Sequence, residues 1–217
     1  MAEFHLFIGN KCFSSWSLRP WIAMKQLDLP FEETVIRLRQ PDTKANIRAL
    51  ARSEKLPCLH HGRRVIWESI AILEYLAELF ADAHLWPKDQ DARALARSMS
   101  AEMHAGFLEF RQQWGMNLRR KKSPKPLEGA ARDQAKRIED YWRRMRASFG
   151  GGGPFLFGHF TAADAMYAPV VSRFDTYGGT LSPDTRAYCD AILATDGMRQ
   201  WYAGAAAEPW PEPNPDE

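Results

Sequence analysis

Two short stretches hold the residues of this chain best suited to chemistry: Lys55-Leu56-Pro57-Cys58-Leu59 and Glu68-Ser69-Ile70-Ala71-Ile72. Pro57 interrupts what otherwise reads as a strand. Proline cannot donate to a sheet ladder, and an X-Pro bond is where a cis peptide is accessible. A kinked strand entry there leaves the N–H and C=O of Leu56 to pair with an extended ligand. Eleven residues after the proline, Glu68-Ser69 opens an amphipathic helix and supplies fixed N–H donors, a hydroxyl and a carboxylate. That set suits a ligand with both an α-carboxylate and an α-ammonium, such as a γ-glutamyl peptide. A plain strand-turn-helix with a capping serine uses the same residues, and the local sequence leaves both readings open.

The elements that must position these groups follow from periodicity and breakers. Phe4 to Ile8 reads as a short strand, and Ser14-Ser15-Trp16-Ser17 leads into a helix to Leu27 with Pro20 in its first turn. Ser17 is the serine best placed to cap it. Phe31 to Leu38 alternates as a second strand, and Thr43 to Leu50 reads as a short irregular helix. Leu56 to His60 and Arg64 to Trp67 flank a tight hairpin at His61-Gly62-Arg63. Apolar residues at 70, 73, 76, 77 and 80 have helical period. The order is β-α-β-α-β-β-α over residues 1–80, a small α/β domain. A Pro-containing linker (81–91) precedes an all-helical domain (92–205), with helices over 92–114, 130–149, 162–177 and 183–194. A Pro-rich tail (206–217) should be extended and poorly ordered.

Composition sets bounds. The 217 residues carry 29 basic and 27 acidic side chains, so no global field recruits nucleic acid or a membrane surface. No apolar run reaches membrane-spanning length, and the start has no secretory pattern. Three widely spaced cysteines, Cys12, Cys58 and Cys189, imply a reduced, cytoplasmic setting. His60-His61 with Cys58 lacks the spacing of a zinc site, because strand neighbours point opposite ways, so no metal is expected. The basic run Arg119-Arg120-Lys121-Lys122 reads as a solvated interhelix loop. The four glycines at 150–153 read as a flexible connector rather than a phosphate cradle.

Three local matches then carry a family resemblance. Ser14-Ser15-Trp16-Ser17-Leu18-Arg19-Pro20-Trp21 resembles the Ser-Ser-Cys-x-Trp-Arg-Val-Arg segment of zeta-class glutathione S-transferases. Leu56-Pro57 with Glu68-Ser69 resembles that family's glutathione-binding core. Thr161-Ala162-Ala163-Asp164 resembles the capping box opening a buried helix of its second domain. The resemblance covers nearly the whole chain and implies a thioredoxin-like domain followed by an all-α domain. It points to a serine-type, zeta-like, bacterial-style detoxification enzyme, a homodimer with glutathione as co-substrate. Such an enzyme conjugates the glutathione thiolate to small hydrophobic electrophiles.

The resemblance also implies roles. Ser14 would ionise the thiol, with Ser15 as alternative donor. Leu56, beside Pro57, would pair with the cysteinyl backbone. Ser69 would take the γ-glutamyl carboxylate, Glu68 its ammonium, and Lys55 the glycyl carboxylate, with Gln40 or Arg39 contributing. Trp16 stands where the zeta class has cysteine and Trp21 where it has arginine, so maleylacetoacetate-type isomerisation stays an alternative, beside peroxidase action. No cysteine aligns with Ser14, which disfavours a thioltransferase. A binding protein that holds glutathione or a hydrophobic ligand without turnover is the alternative of another class. For the electrophile, Trp16 is one candidate, and Met99, Met103, His104, Phe107, Arg111 and Trp114 fall near one face of the 92–114 helix, with Arg173 and Phe174 weaker candidates. Much of that stripe also suits the core.

Overall fold

A computed structural model describes residues 3–210 apart from Arg52 and Lys121. Its first half is β1 (Phe4–Gly9), α1 (Ser15–Gln26), β2 (Phe31–Ile36), α2 (Thr43–Arg48), β3 (Cys58–His61), β4 (Arg64–Trp67) and α3 (Ser69–Leu79). The sheet order is β2-β1-β3-β4. β1 runs parallel to β2, from Phe4 opposite Phe31 to Gly9 opposite Ile36. That pairing needs a crossover, which α1 provides. β3 is antiparallel to both β1 and β4, and Gly62, at φ +57°, supplies the left-handed residue of the β3–β4 hairpin. The β-α-β-α-β-β-α order is as the sequence pattern predicts.

The second half is helical: α4 (Gln90–Ala105), α5 (Leu108–Gln113), α6 (Gly129–Phe149), α7 (Ala162–Tyr177), α8 (Pro183–Leu193) and α9 (Asp196–Ala207). Several expectations change; α9, for one, spans a stretch where the sequence pattern marks no separate helix. The helix predicted over 92–114 breaks at Gly106-Phe107, where Phe107 takes φ +56°. The turn lets Phe110 and Trp114 join Phe174 and Tyr177 in one aromatic cluster, with centroids 5.4–5.8 Å apart. Near the start, α1 opens at Ser15, so Pro20 lies inside the helix and Ser14 takes the N-cap position expected of Ser17.

α1 is the hub. Every residue from Ser17 to Met24 is buried, as a helix covered on all sides must be, and it packs on α3, α7 and α9. One apolar core runs from Leu6 and Ile8 of β1 through Leu18 and Trp21 of α1 to Val170 of α7 and Trp201 of α9. Each large side chain fully buried there contributes about 1.5–3 kcal/mol, so the N-terminus of α1 is anchored to both halves. α7, buried throughout except at Asp175, begins with the expected capping box. The Thr161 N–H donates to Asp164 Oδ2 at 2.7 Å, and the Leu156 N–H donates to Oδ1 at 3.2 Å.

Candidate active site at the cleft between the two halves

A cleft of about 610 Å3 opens between the N-termini of α1 and α3, the segment entering β3, and the end of α4. Ser14, Trp16, Lys55, Leu56, Pro57, Glu68, Ser69 and His104 line it. The Leu56-Pro57 bond is cis. Among the described residues, neither the N–H nor the C=O of Leu56 takes part in a backbone hydrogen bond. Glu68, the N-cap of α3, has φ +67°, a left-handed value that costs a non-glycine residue about 1–3 kcal/mol. The first-turn N–H groups of α3 and the buried Ser69 follow directly.

Ser14 is held in a hydroxyl pair. Its Oγ donates to Ser17 Oγ at 2.7 Å, and Ser17 Oγ accepts from the Gly9 N–H at 3.1 Å. Hydroxyl protons rotate to suit their partners. When an anion meets Ser14 from the cleft, the chain can run Gly9 N–H to Ser17 to Ser14 to anion, each bond polarising the next. The N-terminal field of α1 adds to it.

Beside the serines, Trp16 lies 4.1 Å from the Arg19 guanidinium and 5.1 Å from that of Arg111, with His104 edge-on at 5.2 Å. Buried Arg19 donates to Ser69 Oγ only at 3.5 Å. Burial, then the charges of Arg173 and Arg111, hold its guanidinium well below the usual arginine range. Burial also lowers Arg111, and it lowers Arg173 to about 10. No carboxylate among the described residues pairs with any of the three. Arg19 Nε, Arg111 Nε and His104 Nδ1 are buried without a hydrogen-bond partner. His104 Nε2 faces Glu68 at 3.5 Å across the cleft. Burial depresses its imidazole, Glu68 opposes this, and the nearby cations Arg19, Arg111 and Lys55 depress it further.

Residues 13–79 match the family model of the glutathione S-transferase N-terminal domain, and residues 90–204 match that of the C-terminal domain. The chain belongs to the glutathione S-transferase family. The probable maleylacetoacetate isomerase of Caenorhabditis elegans is 34% identical over 93 residues, which are 43% of this chain and 42% of that protein. Glutathione S-transferase L2, chloroplastic, of Arabidopsis thaliana is 25% identical over 170 residues, 78% of this chain and 53% of that one. The chain thus spans about half the length of these two curated relatives. A solved glutathione transferase homolog from Burkholderia gl BGR1, with bound glutathione, shares the fold at TM-score 0.72 and 22% identity, covering 94% of this chain and 99% of that one.

Other residues expected at the site of this family member lie elsewhere. Ser15 opens α1, buried, outside the cleft lining. Gln40 lines a separate hollow with Phe7 and Asn46, its amide donating to the carbonyls of Leu38 and Arg39. Met99, Met103, Phe107 and Trp114 are core residues, and the break at Gly106 sends Trp114 to the aromatic cluster with Phe174. From α4 it is His104 and Ala105 that face the cleft, so the apolar wall predicted there is largely packing. Arg111 reaches the site region through Trp16 alone among those aromatic contacts. The residue that sequence reasoning passed over is Arg19. Its signal was available: one cation within Leu18-Arg19-Pro20-Trp21-Ile22, an otherwise apolar stretch of helix.

Proposed function

We propose that the cleft binds glutathione and that Ser14 keeps its sulfur anionic for addition to a small electrophile, as in a serine-type, zeta-like transferase. The observation that carries this reading is the meeting of Ser14, the unpaired main chain of Leu56 and the N-terminus of α3 in one cleft. Leu56 would pair with the cysteinyl backbone and Ser69 with the γ-glutamyl carboxylate. Glu68 would face the ammonium and Lys55 the glycyl end. A free thiol is only a few per cent ionised at neutral pH. Each unit of lowering needs about 1.4 kcal/mol, and a hydrogen bond to a charged group supplies about 1.5–3 kcal/mol. Ser14, supported by Ser17, is therefore sufficient for one to two units.

The electrophile would be a planar or apolar molecule lying against Trp16. Arg19 and Arg111, which flank Trp16 without carboxylate partners, favour one that also bears an acidic group, whereas Arg173 is spent on the carbonyls of Trp114 and Pro169. That observation lends weight to a second reading, glutathione-dependent isomerisation of a cis-enone diacid. A cytoplasmic homodimer completes the proposal, with exposed Val65 and Trp67 on edge strand β4 and Leu79 on α3 as apolar surface for a partner copy. Size-exclusion chromatography with light scattering reads the dimer directly. Turnover of an aryl halide, of the same halide carrying a carboxylate, and of a cis-enone diacid separates the enzyme readings. Glutathione binding with no turnover of any of them identifies a non-catalytic binder.

A further inference from the structure

The loop that carries Ser14 is held from the other end of the chain. Its Lys11 N–H donates to Glu208 Oε1 at 2.5 Å, and its Cys12 N–H donates to Oε2 at 3.3 Å, so one carboxylate takes two consecutive amides. The carbonyls of the same residues also bond to the C-terminal half. Lys11 O accepts from Trp201 Nε1 at 2.9 Å, and Cys12 O accepts from the Leu118 N–H at 3.2 Å. Glu208 lies just past α9 and is seated by Arg119, whose guanidinium donates to the carbonyls of Ala205, Glu208 and Trp210. A single cation thereby serves the C-terminal end of α9, where helix carbonyls lack partners and the dipole is negative.

Lys11 and Cys12 are buried, and buried backbone groups must be paired. Without the Glu208 carboxylate both amides are orphaned, and the loop must turn to bring them to water. Ser14 is two residues on, its own N–H bonded to the Asn10 carbonyl at 2.8 Å within the same loop. The loop's side chains have anchors of their own, Lys11 on Glu33 at 2.6 Å and Asn10 on the Leu38 N–H at 2.8 Å, but the Lys11 and Cys12 amides are served by Glu208. Ser14 is the hinge, its carbonyl tied to α1 by the Leu18 N–H at 3.2 Å, so a turn of the loop rotates its side chain relative to Ser17, which the helix holds still.

We propose that Glu208, seated by Arg119, is a positioning residue that aims Ser14 into the cleft, a role that rests on Ser14 being the donor to the glutathione sulfur. The test compares Glu208→Ala and Glu208→Gln with the unaltered chain by amide hydrogen exchange and by the pH titration of thiolate absorbance with glutathione bound. In Glu208→Ala the Lys11 and Cys12 amides should exchange at least about tenfold faster while α7 amides keep their rates. The thiolate titration should move to higher pH, and kcat at neutral pH should fall about tenfold to a hundredfold, as expected for a small misplacement. Glu208→Gln retains one acceptor oxygen and should fall between the two. Unchanged exchange in Glu208→Ala overturns the proposal, and so does faster exchange with an unshifted thiolate titration. An unaltered chain that forms no glutathione thiolate overturns the Ser14 reading and the aiming with it, while the exchange rates still decide whether the carboxylate holds the loop.

Discussion

Ser14, the N-cap of α1, and Arg19, within that helix, have opposite prospects. Ser14 offers a proton to an anion, so Ser14→Ala should raise the pH at which bound glutathione ionises by about one to two units. Ser17→Ala should raise it less, because it removes only the second bond of the chain; thiolate absorbance against pH reads both. Arg19 is a buried cation without a carboxylate, beside two others, and its lowered folded value means that folding disfavours its charge. Replacing such a charge with an apolar side chain is often neutral or stabilising. Arg19→Met should therefore unfold at an equal or higher urea concentration than the unaltered chain; a lower midpoint would mean that its contacts with Trp16 and Ser69 outweigh the buried charge. The two residues also differ in how legible they are. Ser14, Leu56 and Glu68-Ser69 stand at element ends, where breakers and capping residues mark them in sequence. Arg19 stands mid-helix, and only the convergence of α5 and α7 on α1 reveals that its neighbours are Arg111 and Arg173.

At the scale of elements, the start of α7 combines a cap with a buried carboxyl. Thr161→Ala should cost about 1 kcal/mol, as lost N-caps do, read from urea midpoints. Burial, opposed by hydrogen bonds from Thr161 and Leu156, pushes the Asp164 carboxyl up from 3.8 to about 6. The folded chain then holds this proton more tightly than the unfolded one. Its contribution to stability is complete below the unfolded value and is lost as pH rises through the folded value. Relative to Asp164→Asn, the unaltered chain should lose about 3 kcal/mol between about pH 4 and pH 7; an unchanging difference would contradict this. Strands and turns were legible here because alternation, Gly62 and the prolines mark them, and the capping box because its spacing is local. The break between α4 and α5 was not, since a lone glycine is a weak breaker and the aromatic cluster decides it. The run at 119–122 looked like a solvated loop. In fact Arg119 clasps the end of α9, Arg120 lies over the Tyr177 ring and Lys122 pairs with Asp175. Likewise Gly153 is no mere connector, because a Cβ there would collide with the Gly158 carbonyl. The tail expected from 206 begins as the end of α9 and the clasped Glu208-Pro209-Trp210 segment; residues 211–217 lie outside the described residues.

The whole molecule shares one principal core, with α1 of the first half packed against α7 and α9 of the second. Neither half buries α1 alone, so urea unfolding followed by tryptophan fluorescence and by far-ultraviolet circular dichroism should give coincident single transitions. Separate transitions would mean that the halves hold together less than their packing implies. A ligand that binds only the folded cleft raises the transition by mass action, by about 2.7 kcal/mol at a hundred times its dissociation constant. The long-range contacts, Glu208 to the Lys11 loop above all, were beyond local sequence reading because they join residues nearly 200 positions apart. The most direct measurement is the ultraviolet titration of glutathione on the unaltered chain and on Ser14→Ala. The account predicts a thiolate at neutral pH on the former, displaced to higher pH by one to two units on the latter. Glutathione that binds without ionising, or that ionises identically on both, would contradict it.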